Sequence, residues 1–185
     1  MARKGVTRYS IEGKILTPLS DADFEQGMKE GKFLTQNHRA YCVLLYYSAV
    51  RKTEGQRVLR EQFQILKDKI MFDVGARLKH STKTSPLEIY LDSAYAGILK
   101  QEIEATPKGK RVFPFCPKTA YNIVRRAFKY PHLFRLSRIT NFFSEGYTIA
   151  EIHSWTGLSV SALDYYIGLV SISKMAKGMV RKDVA

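Results

Sequence analysis

A histidine and an arginine three residues apart, His132 and Arg135, form the first pair of side chains that could do chemistry together. Pro131 precedes them, and proline suits the first turn of a helix because it has no N–H to donate. An apolar stripe follows at helical spacing, with Leu136, Ile139 and Phe143. This pattern predicts a helix with Arg135 at the edge of its buried face and His132 nearer to the core. The alternative is a hydrogen-bonded structural histidine beside a surface arginine.

The spacing of the residues beyond this pair extends the pattern. Gly146 lies 14 residues after His132, Gly157 follows 11 residues later, and Tyr165 and Tyr166 come next. In this arrangement the chain resembles the catalytic domain of tyrosine recombinases, the phage-type and archaeal integrases. In that family the helix with His-x-x-Arg is followed by a glycine, a helix, a glycine turn and a helix that carries the nucleophilic tyrosine.

The resemblance implies further catalytic residues in the first half of the chain. The segment around Arg51, with Glu54 three residues later, is similar to the family's first arginine box. The polar turn of residues 80–85 stands where the family places its catalytic lysine. Lys83 fits this role best, and Lys79 is the second choice.

Two adjacent tyrosines are candidates for the nucleophile. The apolar stripe of their predicted helix consists of Val160, Leu163, Ile167 and Val170. Tyr166 falls at the rim of this stripe, whereas Tyr165 points nearly opposite, toward solvent. A nucleophile that meets a phosphate in a cleft belongs at the rim, so we expect Tyr166 to be the nucleophile. The alternative is that both are amphipathic surface tyrosines.

The chain departs from the family's pattern in the turn at Gly157. Tyr166 follows that glycine by nine residues, one fewer than is usual in the family. The family usually has a histidine or tryptophan directly after the glycine, where it binds the phosphate, but here the residue is Leu158. His153 and Trp155 lie close by and are the candidates to replace that hydrogen bond.

The implied chemistry exchanges one phosphate ester for another without metal, ATP or any other cofactor. The guanidiniums of Arg51 and Arg135 would bind the non-bridging oxygens of a DNA phosphate, in place of a metal cation. Tyr166 would attack the phosphorus and form a 3′-phosphotyrosine, while Lys83 protonates the leaving 5′ oxygen and His132 assists proton transfer. We therefore expect an enzyme, a site-specific DNA recombinase or integrase.

Positive charge dominates the composition. The chain has 30 lysines and arginines against 17 aspartates and glutamates, a net charge of +13, which favours nucleic acid over a membrane surface as its partner. Each cation that neutralises a phosphate adds salt-dependent affinity, although a solvated surface is the alternative for such residues. The residues expected to bind the DNA backbone are Lys108, Lys110, Arg111, Lys118, Arg125, Arg126 and Lys129.

The elements that must position these residues are mostly helical. Residues 20–23 predict a capped helix start, and the dense apolar residues of 37–50 predict a buried helix. Residues 57–66 could add a short helical turn. Between residues 69 and 91 the apolar positions alternate, which favours an antiparallel hairpin or three-stranded sheet. From Lys118 onward helices return. The fold class is mainly α with a small antiparallel β-sheet, and the resemblance implies the tyrosine recombinase catalytic-domain fold.

A length of 185 residues favours one domain. We expect an N-terminal arm or linker over residues 1–34, the catalytic domain over 35–172 and a basic tail over 173–185. By the resemblance, the tail could dock on a neighbouring copy in a homotetramer on double-stranded DNA. The family normally carries an additional DNA-clamping domain, so we expect this chain alone to discriminate DNA sequences weakly.

Two cysteines, Cys42 and Cys116, are too few for a disulfide framework and predict free thiols in a reducing compartment. The N-terminus shows no secretory signal, and the longest apolar stretch, residues 40–50, is too short to span a bilayer. We expect a cytoplasmic, nucleoid-associated protein of a prokaryotic host, encoded by a virus, plasmid or other mobile element. It would have no membrane partner and no small-molecule substrate.

A second interpretation requires no covalent chemistry. Residues 148–163 also resemble a helix-turn-helix with Gly157 in the turn, which is typical of DNA-binding regulators. A related alternative is a recombinase-fold protein that only binds DNA, because Leu158 cannot donate a side-chain hydrogen bond. A regulator does not explain why Arg51, a basic turn and the pair His132 and Arg135 occur in this order.

Overall fold

A computed structural model describes residues 18–73 and 85–168, together with the backbone of residues 10–11 and 14–15. The helices are α1 (Asp21–Glu30), α2 (Gln36–Ser48), α3 (Lys52–Gly55), α4 (Ala96–Ala105), α5 (Pro117–Arg125), α6 (His132–Ser144), α7 (Ile149–Thr156) and α8 (160–168). The strands are β1 (Ser10–Ile11), β2 (Lys14–Ile15), β3 (Phe63–Ile65), β4 (Lys69–Phe72) and β5 (Leu87–Tyr90). The described part of the fold is thus mainly helical, as the sequence predicts.

The first helix, α1, begins at a capping box. The Ser20 hydroxyl accepts a hydrogen bond from the N–H of Asp23, and the Asp23 carboxylate accepts one from the N–H of Ser20, which confirms the predicted helix start. Phe24 and Met28, one turn apart, are completely buried. The Phe24 ring stacks on Tyr46 with ring centroids 4.0 Å apart. Although α1 lies in the segment expected to be an arm, it packs into the same core as α2.

The second helix, α2, is central and lies against α4, α5 and α6. Every residue from Ala40 to Ser48 is buried, which confirms the predicted buried helix. Ala49 ends α2 in the left-handed conformation, with φ 50°, and is itself fully buried. This conformation costs a residue with a Cβ about 1–2 kcal/mol, so the surrounding contacts must hold it. The sharp exit at Ala49 places Arg51 at the start of α3.

Three strands, β3, β4 and β5, form an antiparallel sheet in that order. Ile70 and Phe72 on β4 turn to the core, and buried positions alternate on β5 as well, as predicted. The helical turn expected over residues 57–66 is wrong for its second half. A 3-10 turn spans Arg60–Gln62, and β3 follows it. These residues form a strand because they pair with β4, where the ring of Phe63 stacks on that of Phe72 with ring centroids 4.5 Å apart.

The second half of the chain packs around α6. Its buried residues form a cluster that joins α6, α7 and α8 to Ala49 at the end of α2. The helix α8 contributes Leu163 and Tyr166, which are 0% and 3% exposed. Gly146 and Gly157 separate the three helices, and both have a positive φ, which glycine adopts at no steric cost.

The two cysteines are free, as predicted, with Cys42 buried and Cys116 exposed. Burial raises the pKa of the Cys42 thiol above its usual range. A hydrogen bond with Thr119 lowers the pKa of Cys116. None of the helices in the described ranges has both the length and the apolar character needed to cross a bilayer.

Candidate active site

Arg51 lies at the N-terminus of α3, two residues after the left-handed Ala49. Its backbone N–H donates to Glu54 Oε2 at 2.7 Å, and its Nη1 donates to Glu54 Oε1 at 2.8 Å. The Glu54 side chain is 4% exposed and that of Arg51 is 28% exposed. The carboxylate therefore holds both the backbone and the guanidinium of Arg51, while part of the guanidinium side chain reaches solvent. Glu54 thus fixes the position of Arg51, and its part in catalysis stays a prediction.

Arg135 occupies the centre of the candidate site. The sequence predicts it at the edge of a buried face, but the side chain is 2% exposed. Its Nη1 donates to the carbonyl of Ala49 at 2.5 Å and its Nη2 to the carbonyl of Thr156 at 3.3 Å. These carbonyls stand at the C-terminal ends of α2 and α7, where the helix dipole is negative. Two helix ends therefore compensate the burial of this cation and fix its orientation.

His132 is the first residue of α6, one turn before Arg135. The residue as a whole is exposed to solvent. Burial of part of the ring lowers its pKa, and the nearby positive charges of Arg135 and Arg51 lower it further. Both guanidiniums therefore lie close enough to act on one imidazole. The neutral imidazole favoured by this arrangement can accept a proton.

Tyr166 and Tyr165 occupy different positions from those that the stripe predicts. Val160 is 55% exposed, whereas Leu163 and Tyr166 are buried, so the buried face of α8 is centred on Leu163 and Tyr166. Tyr166 is therefore inside the cluster rather than at its rim, together with Ala49, the backbone partner of Arg135. Tyr165 is half-buried, not directed to solvent, and its ring lies edge-on to that of Tyr166 at 5.8 Å.

His153 and Trp155, the candidates to supply the hydrogen bond that the Leu158 side chain cannot donate, both make structural contacts at the end of α7. The Nδ1 atom of His153 is hydrogen-bonded to the carbonyl of Leu158 at 2.5 Å. The Trp155 ring packs between Phe142 and Tyr147, with centroid distances of 5.3 and 5.0 Å. The imidazole thus braces the turn, and the indole braces α7 against α6.

Lys83 and Lys79 lie outside the described residues, as do the tail 173–185 and Val170. The described chain resumes at Ser85, and the N–H of Ser85 donates to the carbonyl of Ser154 on α7 at 2.9 Å. The chain that enters β5 is therefore anchored to α7, the helix whose last carbonyl binds Arg135.

The residues expected to bind the DNA backbone are all exposed. Among the described residues, none of them forms an ion pair with a carboxylate. They fall on the loop after α4, on α5 and on the connection from α5 to α6; they are Lys108, Lys110, Arg111, Lys118, Arg125, Arg126 and Lys129. This distribution leaves their charge available to an external anion.

Sequence reasoning missed two backbone groups of this site, the carbonyls of Ala49 and Thr156. For Thr156 a signal exists, because Gly157 directly after it marks a left-handed helix end whose last carbonyls need partners. For Ala49 no signal exists, because alanine is an ordinary helix residue and only tertiary packing explains its positive φ.

No protein-family model and no curated protein matches this chain. Solved structures do match. XerH site-specific recombinase bound to difH substrate, in its pre-cleavage complex, matches with a TM-score of 0.61 and 14% identity over 83% of this chain and 51% of its own. XerA recombinase matches with a TM-score of 0.59, 14% identity, and coverage of 83% and 60%.

The catalytic domain of bacteriophage HP1 integrase matches with a TM-score of 0.59 and 15% identity, over 83% of this chain and 88% of that domain. The chain thus spans about half the length of the XerH chains, 51% and 56%, but most of an isolated catalytic domain. The fold is that of a tyrosine recombinase catalytic domain, mainly helical with a small antiparallel sheet.

Proposed function

We propose that this chain is a site-specific recombinase or integrase that cuts and rejoins DNA strands through a tyrosine. The observation that carries the proposal is the hydrogen bond from Arg135 to the carbonyl of Ala49, which brings the segment of Arg51 against the helix that carries His132 and Arg135; the positive charges of both arginines also lower the pKa of His132. A site that gathers two cations beside a neutral base suits a phosphodiester, because its anionic oxygens bind guanidiniums and its attack requires removal of a proton. The tyrosine recombinase catalytic-domain fold supports this proposal.

The proposed reaction transfers a phosphoryl group from DNA to the protein and back. The hydroxyl oxygen of Tyr166 attacks the phosphorus while neutral His132 takes the hydroxyl proton. The bond from phosphorus to the 5′ oxygen breaks, and Lys83 supplies a proton to that oxygen. The products are a 3′-phosphotyrosine and a free 5′-hydroxyl, and a new 5′-hydroxyl reverses the steps. The ester retains the bond energy, so rejoining needs no ATP.

Arg135 and Arg51 contribute differently to this reaction. Arg135 is held at two helix ends and is rigid before substrate arrives, whereas Arg51 is partly exposed and held at one side by Glu54. Preorganised donors aimed at developing charge are each worth about 10²–10³ in rate. Arg51 therefore presents the accessible charge, and Arg135 sets the position at which the phosphate is bound.

Tyr166 must leave its buried position before it attacks. It and Leu163 are the buried residues of α8 in the cluster around α6, and the half-buried Tyr165 packs against the same cluster. Releasing one such side chain costs about 1.5–3 kcal/mol, which is small beside the binding energy of a charged DNA duplex. We infer that DNA binding draws α8 away from the cluster and brings the hydroxyl to the phosphate.

Lys83 fits the role of general acid through the anchor at Ser85. Two residues of extended chain span about 7 Å at most, and Ser85 is hydrogen-bonded to α7. A lysine side chain two residues before this anchor is within reach of the site that α7 borders. Lys79 lies six residues before the anchor and is the weaker candidate.

The proposed partner is double-stranded DNA, on which the protein assembles as a homotetramer. The exposed cations of α5 and its flanking loops would contact phosphates and supply affinity that falls with salt. We also propose that the protein acts on the nucleoid of a prokaryotic host, in the service of a mobile element.

The direct test uses a nicked duplex that traps the covalent intermediate because the released strand diffuses away. Wild-type protein is expected to form an adduct that survives denaturant, and Tyr166→Phe is expected to form none. Tyr165→Phe is the matched control and keeps the adduct. An adduct that persists in Tyr166→Phe and disappears in Tyr165→Phe would show that the wrong tyrosine has been assigned.

A second candidate function is DNA binding without cleavage. The burial of Tyr166 and the presence of Leu158 after Gly157 favour it, since the tyrosine is only 3% exposed. In this case the same duplexes bind, no variant and no duplex design gives an adduct, and Arg135 acts only as a structural cation.

A further inference from the structure

A basic groove with aromatic walls lies beside the candidate active site. It has a volume of about 580 Å³ and runs along the C-terminal end of α5 and the connection to α6. Its polar and aromatic lining residues are Tyr121, Arg125, Arg126, Phe128, Lys129 and Tyr130. None of the described residues that line it is a carboxylate, so the charges that line it attract an anion.

The charges of the groove are available to a ligand. Arg125, Arg126 and Lys129 are all exposed and have no ion-pair partner among the described residues. Three cations that line one groove suit a chain of several phosphates, each of which they can neutralise. The groove therefore fits a strand of nucleic acid.

The Tyr121 ring gives the groove a second kind of contact. It is 38% exposed, and the cations of Arg125 and Lys52 lie 5.8 and 5.6 Å from its centroid. Both cations lie over the ring at the outer limit of cation–π distance, and the exposed part of the ring is the surface that another flat group can contact. Lys52 is itself fixed, because its Nζ donates to the carbonyl of Pro117 at 3.2 Å. A nucleobase is the group that a phosphate strand would bring to such a ring.

The groove is close in the chain to residues of the candidate site. Lys52, beside Tyr121, directly follows Arg51, and Tyr130, which lines the groove, precedes His132 by two residues. We expect a strand in the groove to lead toward the phosphate that Arg51 and Arg135 are proposed to bind.

We propose that this groove binds an unpaired segment of the DNA strand next to the reacting phosphate, with its phosphates on the cations and a base stacked on Tyr121. Bases in a continuous duplex stack on one another and offer no free face, so only an unpaired segment makes both contacts. The proposal rests on the proposed function for the choice of substrate. It adds that the preferred substrate is locally unpaired beside the cleavage point.

Binding of labelled DNA, measured by fluorescence anisotropy in the Tyr166→Phe background, tests this without cleavage. Two probes carry the same duplex, and one of them ends in a single-stranded tail. The tailed probe is expected to bind more tightly. Tyr121→Ala should lower the affinity for the tailed probe about ten-fold and leave the affinity for the blunt probe unchanged. Tyr121→Phe keeps the ring and the affinity, and Tyr90→Ala, at an exposed tyrosine outside the groove, changes neither probe.

A second variant separates charge from stacking. Arg125→Gln should weaken the binding of both probes and reduce the dependence of their affinity on salt. The proposal is overturned if blunt and tailed probes bind equally, or if Tyr121→Ala weakens both to the same extent. If the tailed probe is preferred but the wild type forms no covalent adduct, the proposed function is overturned and the proposal about the groove stands. If the wild type forms an adduct but does not prefer the tailed probe, the proposal about the groove is overturned and the proposed function stands.

Discussion

At the scale of single residues, Arg135 links the stability of the fold to its proposed chemistry. A buried guanidinium destabilises a protein unless polar groups surround it, and here they are the carbonyls that end α2 and α7. The same bonds that hold these helix ends together also hold the guanidinium still. In the proposed reaction the orientation of this cation has been set during folding, so little ordering remains to be done when the phosphate reacts.

Substitutions at Ala49 test the left-handed turn that supplies one of these carbonyls. Ala49→Gly relieves the strained backbone but gains freedom in the unfolded state and loses a buried methyl, so the free energy of unfolding should change by less than about 1 kcal/mol. Ala49→Val should lower it by about 2 kcal/mol or more, because a β-branched side chain tolerates neither the positive φ nor the full burial. Urea unfolding measures both, and equal losses in the two variants would contradict a left-handed Ala49.

The pKa of His132 gives a second prediction at this scale. Burial, Arg135 and Arg51 lower it from the ordinary value of 6.5, so NMR titration should find the imidazole neutral at pH 7. Arg51→Gln should raise the pKa, and Arg51→Lys, which keeps the charge, should not. Because the folded-state pKa is the lower one, the unfolded state takes up a proton first as the pH falls below about 6.5, and this residue's contribution to stability is lost there. A titration above 6.5 in the wild type would show that the guanidiniums are not near the ring.

At the scale of elements, the end of α7 at Gly157 decides where α8 can go. Gly157 has φ 62°, and its N–H donates to the carbonyl of His153 at 2.8 Å. Gly157→Ala should lower the free energy of unfolding by about 1–2 kcal/mol, since alanine is strained in this conformation. Gly97→Ala is the control: Gly97 lies in α4, and an added Cβ would meet nothing within 4 Å. It should leave stability unchanged or raise it by up to about 1 kcal/mol, and a comparable loss in both variants would contradict the assigned cap.

The elements also show how far sequence reasoning reaches in this chain. The capped start of α1, the burial of α2 and the alternation in β4 follow from local patterns and are confirmed. Local patterns do not predict the strand β3, because its pairing with β4 depends on residues five to nine positions away. The apolar stripe does not give the orientation of α8, because Val160 belongs to the stripe but is exposed, whereas Leu163 and Tyr166 are buried.

At the scale of the whole molecule, distant parts of the chain meet at the candidate site. Arg51 comes from the first third of the sequence, and Arg135 lies 86 residues after the Ala49 carbonyl that it binds. Sequence spacing and a family resemblance were enough to nominate Arg51, His132 and Arg135. They could not show that a buried Arg135 joins two helix ends, because that depends on how α2, α6 and α7 pack. The catalytic roles of Arg51, His132 and Arg135 stay predictions, as do those of Tyr166 and Lys83.

The account depends most on Tyr166 reaching the phosphate that the guanidiniums hold. The direct measurement is mass spectrometry of the trapped protein–DNA adduct, digested with trypsin and nuclease and fragmented to locate the modified residue. The account predicts a nucleotide joined through its 3′ phosphate to Tyr166, and loss of the adduct when Arg51 is replaced by alanine. A modification at Tyr165 or any other residue, or an adduct unaffected by Arg51→Ala, would contradict it.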